Sequence, residues 1–206
     1  MIIGVDVDGI IANFQRDYQE LFVKLTGESR WPGGIPYAPP RWDYATHSDV
    51  GYTKEEDAKV WKYIEESPNF WANLPGYPDT QKSIDRLWNL QKSGHDVYFI
   101  TNRSGKTAKA QTESFIYQYT PSMLPPPTVI VSAQKGLSCT AINASVYIDD
   151  KPSNCRDVIK ARGLATKVFI LDRTWNQEED SKYIARVGSV DEMLDIVLPL
   201  REGAVA

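Results

Sequence analysis

The stretch "MIIGVDVDGIIANF", residues 1–14, decides the fold. Ile2, Ile3, Val5 and Val7 make an apolar, β-branched run, and two carboxylates, Asp6 and Asp8, stand at its end before Gly9. Such a run reads as a strand buried on both faces, as in a parallel sheet. The spacing predicts a strand over 2–7. Open parallel sheets bind ligands at the carboxyl ends of their strands, so acids placed there point to a site. Side chains alternate along a strand, which puts Asp6 and Asp8 on the same side. Gly9 leaves room for a close turn around a ligand.

Four further runs carry the same signature: "DVYFIT" (96–101), "TVIVS" (128–132), "SVYID" (145–149) and "KVFIL" (167–171). Helical patterns separate them. "DTQKSIDRLWNLQKSG" (79–94) places Ile84, Leu87, Trp88 and Leu90 on one face and stops at Gly94. "TAKAQTESFIYQY" (107–119) follows, then "SNCRDVIKARG" (153–163) with Ser153 or Asn154 as cap, then "SVDEMLDIVLPL" (189–200) capped by Ser189. Strands alternating with helices imply an α/β fold, a Rossmann-like parallel sheet flanked by helices.

The rhythm breaks once, between the first strand and Asp96. "NFQRDYQELFVKLTG" (13–27) and "TKEEDAKVWKYIEES" (53–67) are amphipathic, and "RWPGGIPYAPPRWDY" (30–44) between them is too rich in Pro and Gly for regular structure. Residues 15–77 therefore read as a small, mainly helical cap inserted after the first strand. It holds Trp31, Trp42, Trp61 and Trp71, four of the six tryptophans. The core is expected from 1–14 and 78–206, with "REGAVA" as a frayed tail.

A chain of 206 residues suits one domain carrying a smaller inserted one. With 42% hydrophobic and 24% charged residues it has an ordinary globular composition. A net charge of -4, without a Lys/Arg-rich run, argues against long nucleic acids as partners. A mononucleotide needs only one or two cations and stays compatible. Cys139 and Cys155 lack metal-site spacing and no secretory signal precedes them, which fits a reduced, cytoplasmic setting. No stretch approaches the roughly 18 apolar residues of a membrane helix. Oligomeric state is left open, a homodimer included.

The strand ends share a chemistry. The first offers Asp6 and Asp8. The second ends in Thr101, followed by Asn102 and Arg103. Lys135 follows the third in "SAQKG", and Asp149 and Asp150 close the fourth. Four carboxylates in one crevice repel one another unless some hold protons or a cation joins them. Mg²⁺ prefers a few carboxylates plus water and substrate oxygens. Lys135 adds positive charge, and Thr101 with nearby amides can donate to a phosphate. A carboxylate attacks a phosphate dianion only when cations screen it, which makes an aspartyl-phosphate consistent with this set. One acid of the D-x-D pair would attack phosphorus while the other handles the leaving group's proton. Singly, each piece has a plain structural reading as a turn, a cap or a surface lysine. Their joint placement at four strand ends is what points to chemistry.

In this order, "VDVDG", "FITN", Lys135 and "YIDD" resemble the four motifs of the haloacid-dehalogenase-type (HAD) phosphohydrolase superfamily. The resemblance implies Asp6 as nucleophile and Asp8 as general acid/base. It implies Thr101 on the transferring phosphoryl group and Lys135 on Asp6 and the phosphate; Asn102, next to Thr101, is a further candidate phosphate contact. Mg²⁺ would be held by Asp6, the Asp8 backbone, Asp149 and Asp150. A second aspartate argues against dehalogenase chemistry. "DVDGIIANF", "YIDDKPSN" and the segment from Ser67 to Gly105 are similar to the 5'(3')-deoxyribonucleotidase group, which also carries its cap between the first two motifs. That likeness implies a nucleoside monophosphate as substrate and cap aromatics stacking on its base, here Phe70 and Trp71, with Phe14 at the edge of the site; Arg103 is a candidate substrate contact that could grip a phosphate or pair with a cap acid. The Pro/Trp-rich segment 31–44 matches no pattern of the group.

Two alternatives share parts of this reading. The same chemistry could serve another small phosphorylated metabolite or a nucleic-acid 3' end. A non-catalytic phosphate-binding or signalling module, such as a receiver domain, also gathers acids, Mg²⁺, Thr and Lys. Its phosphorylated aspartate, however, ends the third strand and its lysine comes last. Of the remaining polar residues, His95 reads as a turn residue, Lys151 as local charge balance, Asn154 as a carboxylate-orienting group or a helix cap, and Cys155 as packing.

Overall fold

The computed structural model describes residues 1–31, 34–35, 38–48, 50–120 and 126–198. Six parallel strands form one sheet: β1 (Ile2–Val5), β2 (Asp96–Thr101), β3 (Thr128–Val131), β4 (Val146–Asp149), β5 (Lys167–Leu171) and β6 (Ile184–Val187). Their order is β3-β2-β1-β4-β5-β6, every neighbouring pair parallel. From β1 the chain builds outward to β2 and β3, then crosses back to place β4 on the other side. The strand order thus reverses between β1 and β4, where α/β sheets open a crevice.

Seven α-helices of the described residues accompany the sheet: α1 (Phe14–Thr26), α2 (Lys54–Glu66), α3 (Thr80–Lys92), α4 (Ala108–Tyr119), α5 (Lys135–Ala141), α6 (Pro152–Arg162) and α7 (Val190–Val197). Alternation within the strands splits the core into two layers. Phe169 and Leu171 pack with Ile84, Leu87, Met193 and Leu194, whereas Val168 and Ile170 pack with Tyr147, Cys155 and Val158. The first layer runs on into α1 and α2 through Phe14, Tyr18, Leu21, Phe22, Val60 and Ile64. The chain leaves for these helices and returns at a narrow neck, an Ala12–Gly76 bridge with Asn13 N–H donating to Pro75 O at 2.8 Å.

Two details depart from the sequence reading. The first strand ends at Val5, so Asp6 and Asp8 stand on the following loop rather than on alternating strand positions. Helix α6 begins at Pro152 with Lys151 in the cap position, because Pro needs no N–H partner at a first turn. Of the two readings of Asn154, the structure follows the carboxylate-orienting one: its amide donates to Asp149, and it is not the cap. Two elements were not foreseen, α5 and β6. The expected tail, 201–206, and the end of the last helical pattern, 199–200, lie outside the described residues. Among the described residues no helix is long and apolar enough to cross a membrane.

Candidate active site

Asp6 N–H bonds Ile148 O at 2.9 Å, which pins the loop to β4 where β1 stops. The chain then folds back on itself, with Ile11 and Ala12 N–H both donating to Val7 O. Gly9 makes the turn at φ +82°. A Cβ there would lie 2.0 Å from Asp150 Oδ2, so both the conformation and the space demand glycine.

Lys135, the first residue of α5, is 1% exposed and places Nζ 2.5 Å from Asp6 Oδ1. The same ammonium donates to Ile100 O. Burial alone would draw its pKa down, but Asp6 and Asp149 around it outweigh that and hold it above its ordinary value. Asp6 sits in the opposite conflict. Burial, then Asp149, push its pKa up to about 7 against the pull of Lys135. Burial and Asp149 also hold the Asp150 carboxyl well above the usual range.

Asp149 and Asp150 are buried side by side and treated differently. Asp149 accepts from the Tyr147 hydroxyl, from Lys151 N–H at 2.8 Å and from the Asn154 amide at 3.1 Å on each oxygen. Among the described residues Asp150 accepts on its side chain from one group, the Trp175 indole N–H, at 2.8 Å to Oδ2. Asp6, Asp149 and Asp150 each bring a carboxylate oxygen within 4.8 Å of the others. Three buried acids, two of them held towards protonation, with a single lysine among them, suit a hard divalent cation.

Asp8 faces another partner. Arg103 grips it with both ends of its fork, Nη2 to Oδ1 at 2.8 Å and Nε to Oδ2 at 3.0 Å, and Thr101 Oγ1 donates to Oδ2 at 3.1 Å. The remaining Arg103 nitrogen reaches Thr112 Oγ1 and Trp71 O. Arg103 is 3% exposed, with its donors directed to Asp8, Thr112 and Trp71. The Thr101 hydroxyl, expected on a phosphate, is likewise turned to Asp8 and buried.

Asp6, Asp8, Asn102, Lys135, Asp150, Lys151 and Asn154 form the polar floor of a cleft of about 200 Å³. Its wall is aromatic: Phe14, Trp42, Trp61 and Trp71. Phe14 stacks within this group, 5.5 Å from Trp71, 5.8 Å from Trp61 and 6.2 Å from Trp42. Phe70, expected against the substrate, does not line the cleft; it borders a surface groove with Asp17, Leu21 and Tyr63. Trp71 lines the cleft but is 1% exposed, with the Arg103 guanidinium 4.9 Å from its ring centre. Trp42 and Trp61, half-buried, present the freer surface and were missed, because nothing in sequence separates a cleft tryptophan from a core one. Tyr147 carried a usable signal, since it lies two residues before Asp149 on the same strand face. Trp175 carried none.

The family model for 5' nucleotidase, deoxy (pyrimidine), cytosolic type C protein matches residues 1–202. No match emerges among curated proteins. Solved structures share the fold at low identity. A HAD-superfamily hydrolase from Ehrlichia chaffeensis is 12% identical with a TM-score of 0.55, over 97% of this chain and 96% of that one. A HAD-superfamily hydrolase, subfamily IA, variant 1, from Geobacter sulfurreducens is 14% identical with a TM-score of 0.53, over 95% and 98%. A hydrolase from Pseudomonas syringae is 12% identical with a TM-score of 0.54, over 96% and 99%.

Proposed function

The chain belongs to the 5' nucleotidase, deoxy (pyrimidine), cytosolic type C family and is a HAD-type phosphatase, and on that premise we propose that it hydrolyses (deoxy)nucleoside monophosphates with Mg²⁺ through an aspartyl-phosphate on Asp6. The observation that carries this reading is the buried Asp6, 2.5 Å from Lys135 at the switch point of the sheet, within reach of Asp149 and Asp150.

The residues divide the work. Lys135 holds one Asp6 oxygen, leaving Oδ2 without a hydrogen-bond donor among the described residues to attack phosphorus. As the Asp6–phosphorus bond forms, the ester bond breaks and Asp8 passes a proton to the leaving oxygen. Asp8 then takes a proton from water, whose oxygen displaces Asp6 from phosphorus and releases inorganic phosphate. Both Asp8 oxygens sit on Arg103, so acting as the acid requires at least one of them to let go of the guanidinium and to take up a proton from solvent before the ester bond breaks. Asn102 and Lys135 line the cleft, and in this reading they contact the phosphate. Mg²⁺, when bound, would be held by Asp6, Asp150 and the Asp8 backbone and would screen the phosphate from the attacking carboxylate. Asp150 suits direct ligation because it keeps lone pairs that Asp149 has given to Tyr147, Lys151 and Asn154. Asp149 then orients the cluster from behind.

Residues 15–77 act as a cap in this reading, and Trp42 and Trp61 receive the base. Stacking on one aromatic ring contributes roughly 1–3 kcal/mol and tolerates different bases. The family's description as cytosolic supports a cytoplasmic location. The test is phosphate release from 5'- and 3'-nucleoside monophosphates, a sugar phosphate and an aryl phosphate, with Mg²⁺ and with chelator. Mg²⁺-dependent preference for nucleotides is expected. Equal release from all substrates would reject the nucleotide assignment, and release unaffected by chelator would reject the metal.

A further inference from the structure

The loop between β5 and β6 lies outside all four strand-end motifs, yet it reaches the centre of the site. Trp175 Nε1 donates to Asp150 Oδ2 at 2.8 Å, the one side-chain hydrogen bond Asp150 receives among the described residues. The loop is itself clamped. Asn176 Nδ2 donates to Asp150 O and to Leu171 O, both at 2.7 Å, and Arg186 Nη1 donates to Asn176 Oδ1 at 2.7 Å. Gly9 presses on Asp150, so the carboxylate is held between a turn that admits no side chain and an indole N–H. The ring of Trp175 also meets Trp42 edge-to-face, with centroids 5.7 Å apart at 67°. Beside it, Thr174 Oγ1 donates to Pro39 O at 2.6 Å. Through these contacts the segment carrying Trp42 is fastened to the group that holds Asp150.

We infer that Trp175 is a positioning residue: its N–H aims Asp150 at a divalent cation, and its ring joins that carboxylate to the aromatic wall of the cleft. This rests on the proposed metal site. Groups that orient a ligating carboxylate typically change metal affinity by about 10–100-fold when removed. Trp175→Phe keeps an aromatic ring, a smaller one, and deletes the donor.

The experiment is calorimetric titration of Mg²⁺ into metal-free wild-type and Trp175→Phe protein, with Mn²⁺ binding followed by electron paramagnetic resonance as a second readout. The variant is expected to bind about 10–100-fold more weakly, while its metal-free melting temperature stays close to that of the wild type. Trp175→His, which retains a ring N–H, should recover part of the affinity. Equal affinity in wild type and Trp175→Phe would overturn the inference. A wild type that binds neither ion would overturn the metal site itself, a result distinct from the first. Should Trp175→Phe fail to fold, the assigned Trp175 indole N–H resonance of wild-type protein serves instead. It should shift during Mg²⁺ titration with the calorimetric midpoint, and an unmoved resonance would overturn the inference.

Discussion

Gly9→Ala tests how tightly the loop after β1 is built around the acid cluster. Alanine at φ +82° would occupy the left-handed region, which costs about 1–2 kcal/mol. Its Cβ would also stand 2.0 Å from Asp150 Oδ2 and 2.3 Å from Cγ. Relief requires Asp150 to turn and give up the Trp175 N–H, or the loop to shift, and overpacking of this kind costs about 1–3 kcal/mol. Together the two effects amount to about 3 kcal/mol, a fall in melting temperature of roughly 6–12 °C for a chain of this size. Gly27→Ala is the matched control. Gly27 has φ +81° at the end of α1, but nothing lies within 4 Å of a Cβ there. It should lose only the conformational part and leave Mg²⁺ affinity intact. Thermal melts of both metal-free variants, followed by Mg²⁺ titration, read the two components separately. Equal melting shifts for the two variants, with unchanged affinity in Gly9→Ala, would refute the claim that Gly9 cradles Asp150.

Metal-free protein should lose stability as pH rises from about 4 to 7. Over that range folded Asp6, with its pKa pushed up to about 7, keeps a proton that the unfolded chain has released. The loss should be on the order of a few kcal/mol, and Mg²⁺ should largely abolish it; melting temperatures flat in pH with chelator present would contradict this. Trp61→Ala should raise KM for a nucleotide severalfold with little effect on an aryl phosphate, whereas Phe70→Ala should leave both unchanged in steady-state kinetics. Arg103→Met removes one partner of a buried pair and should cost about 3–5 kcal/mol in urea unfolding; a cost below about 1 kcal/mol would show that the Asp8–Arg103 pair is not the buried contact described.

The sheet was legible wherever strands are buried on both faces. "KVFIL" and "DVYFIT" match β5 and β2 residue for residue, because a short continuous run of β-branched and aromatic residues suits a buried strand better than a helix. Strand β6 escaped for the converse reason. It lies at the sheet edge, and Arg186 in its middle turns to Asp172 and Asn176, so "IARV" carries no apolar run. Helix α5 reads "KGLSCTA", a poor helix former. What holds it is tertiary: Gly136 packs so closely on α6 that a Cβ would lie 2.6 Å from Asp157 O. In the site, Asp6, Lys135, Asp149 and Asp150 were legible as polar residues at strand ends, and the fold brings them together. The partners of those groups were not. Arg103 stands out in sequence as a strand-end cation, but not as the buried partner of Asp8, and Trp175 reaches Asp150 from 25 residues further along the chain. Long-range hydrogen bonds of this kind leave no periodicity behind.

The most direct test of the proposed mechanism is to trap the covalent intermediate. Protein mixed with a deoxynucleoside monophosphate and Mg²⁺, quenched in acid within the first turnover, is digested and read by mass spectrometry. One phosphoryl group is expected on the peptide containing Asp6, absent in Asp6→Asn, which should also release no phosphate. Normal turnover by Asp6→Asn, or a phosphoryl group found on another residue, would contradict Asp6 as the nucleophile.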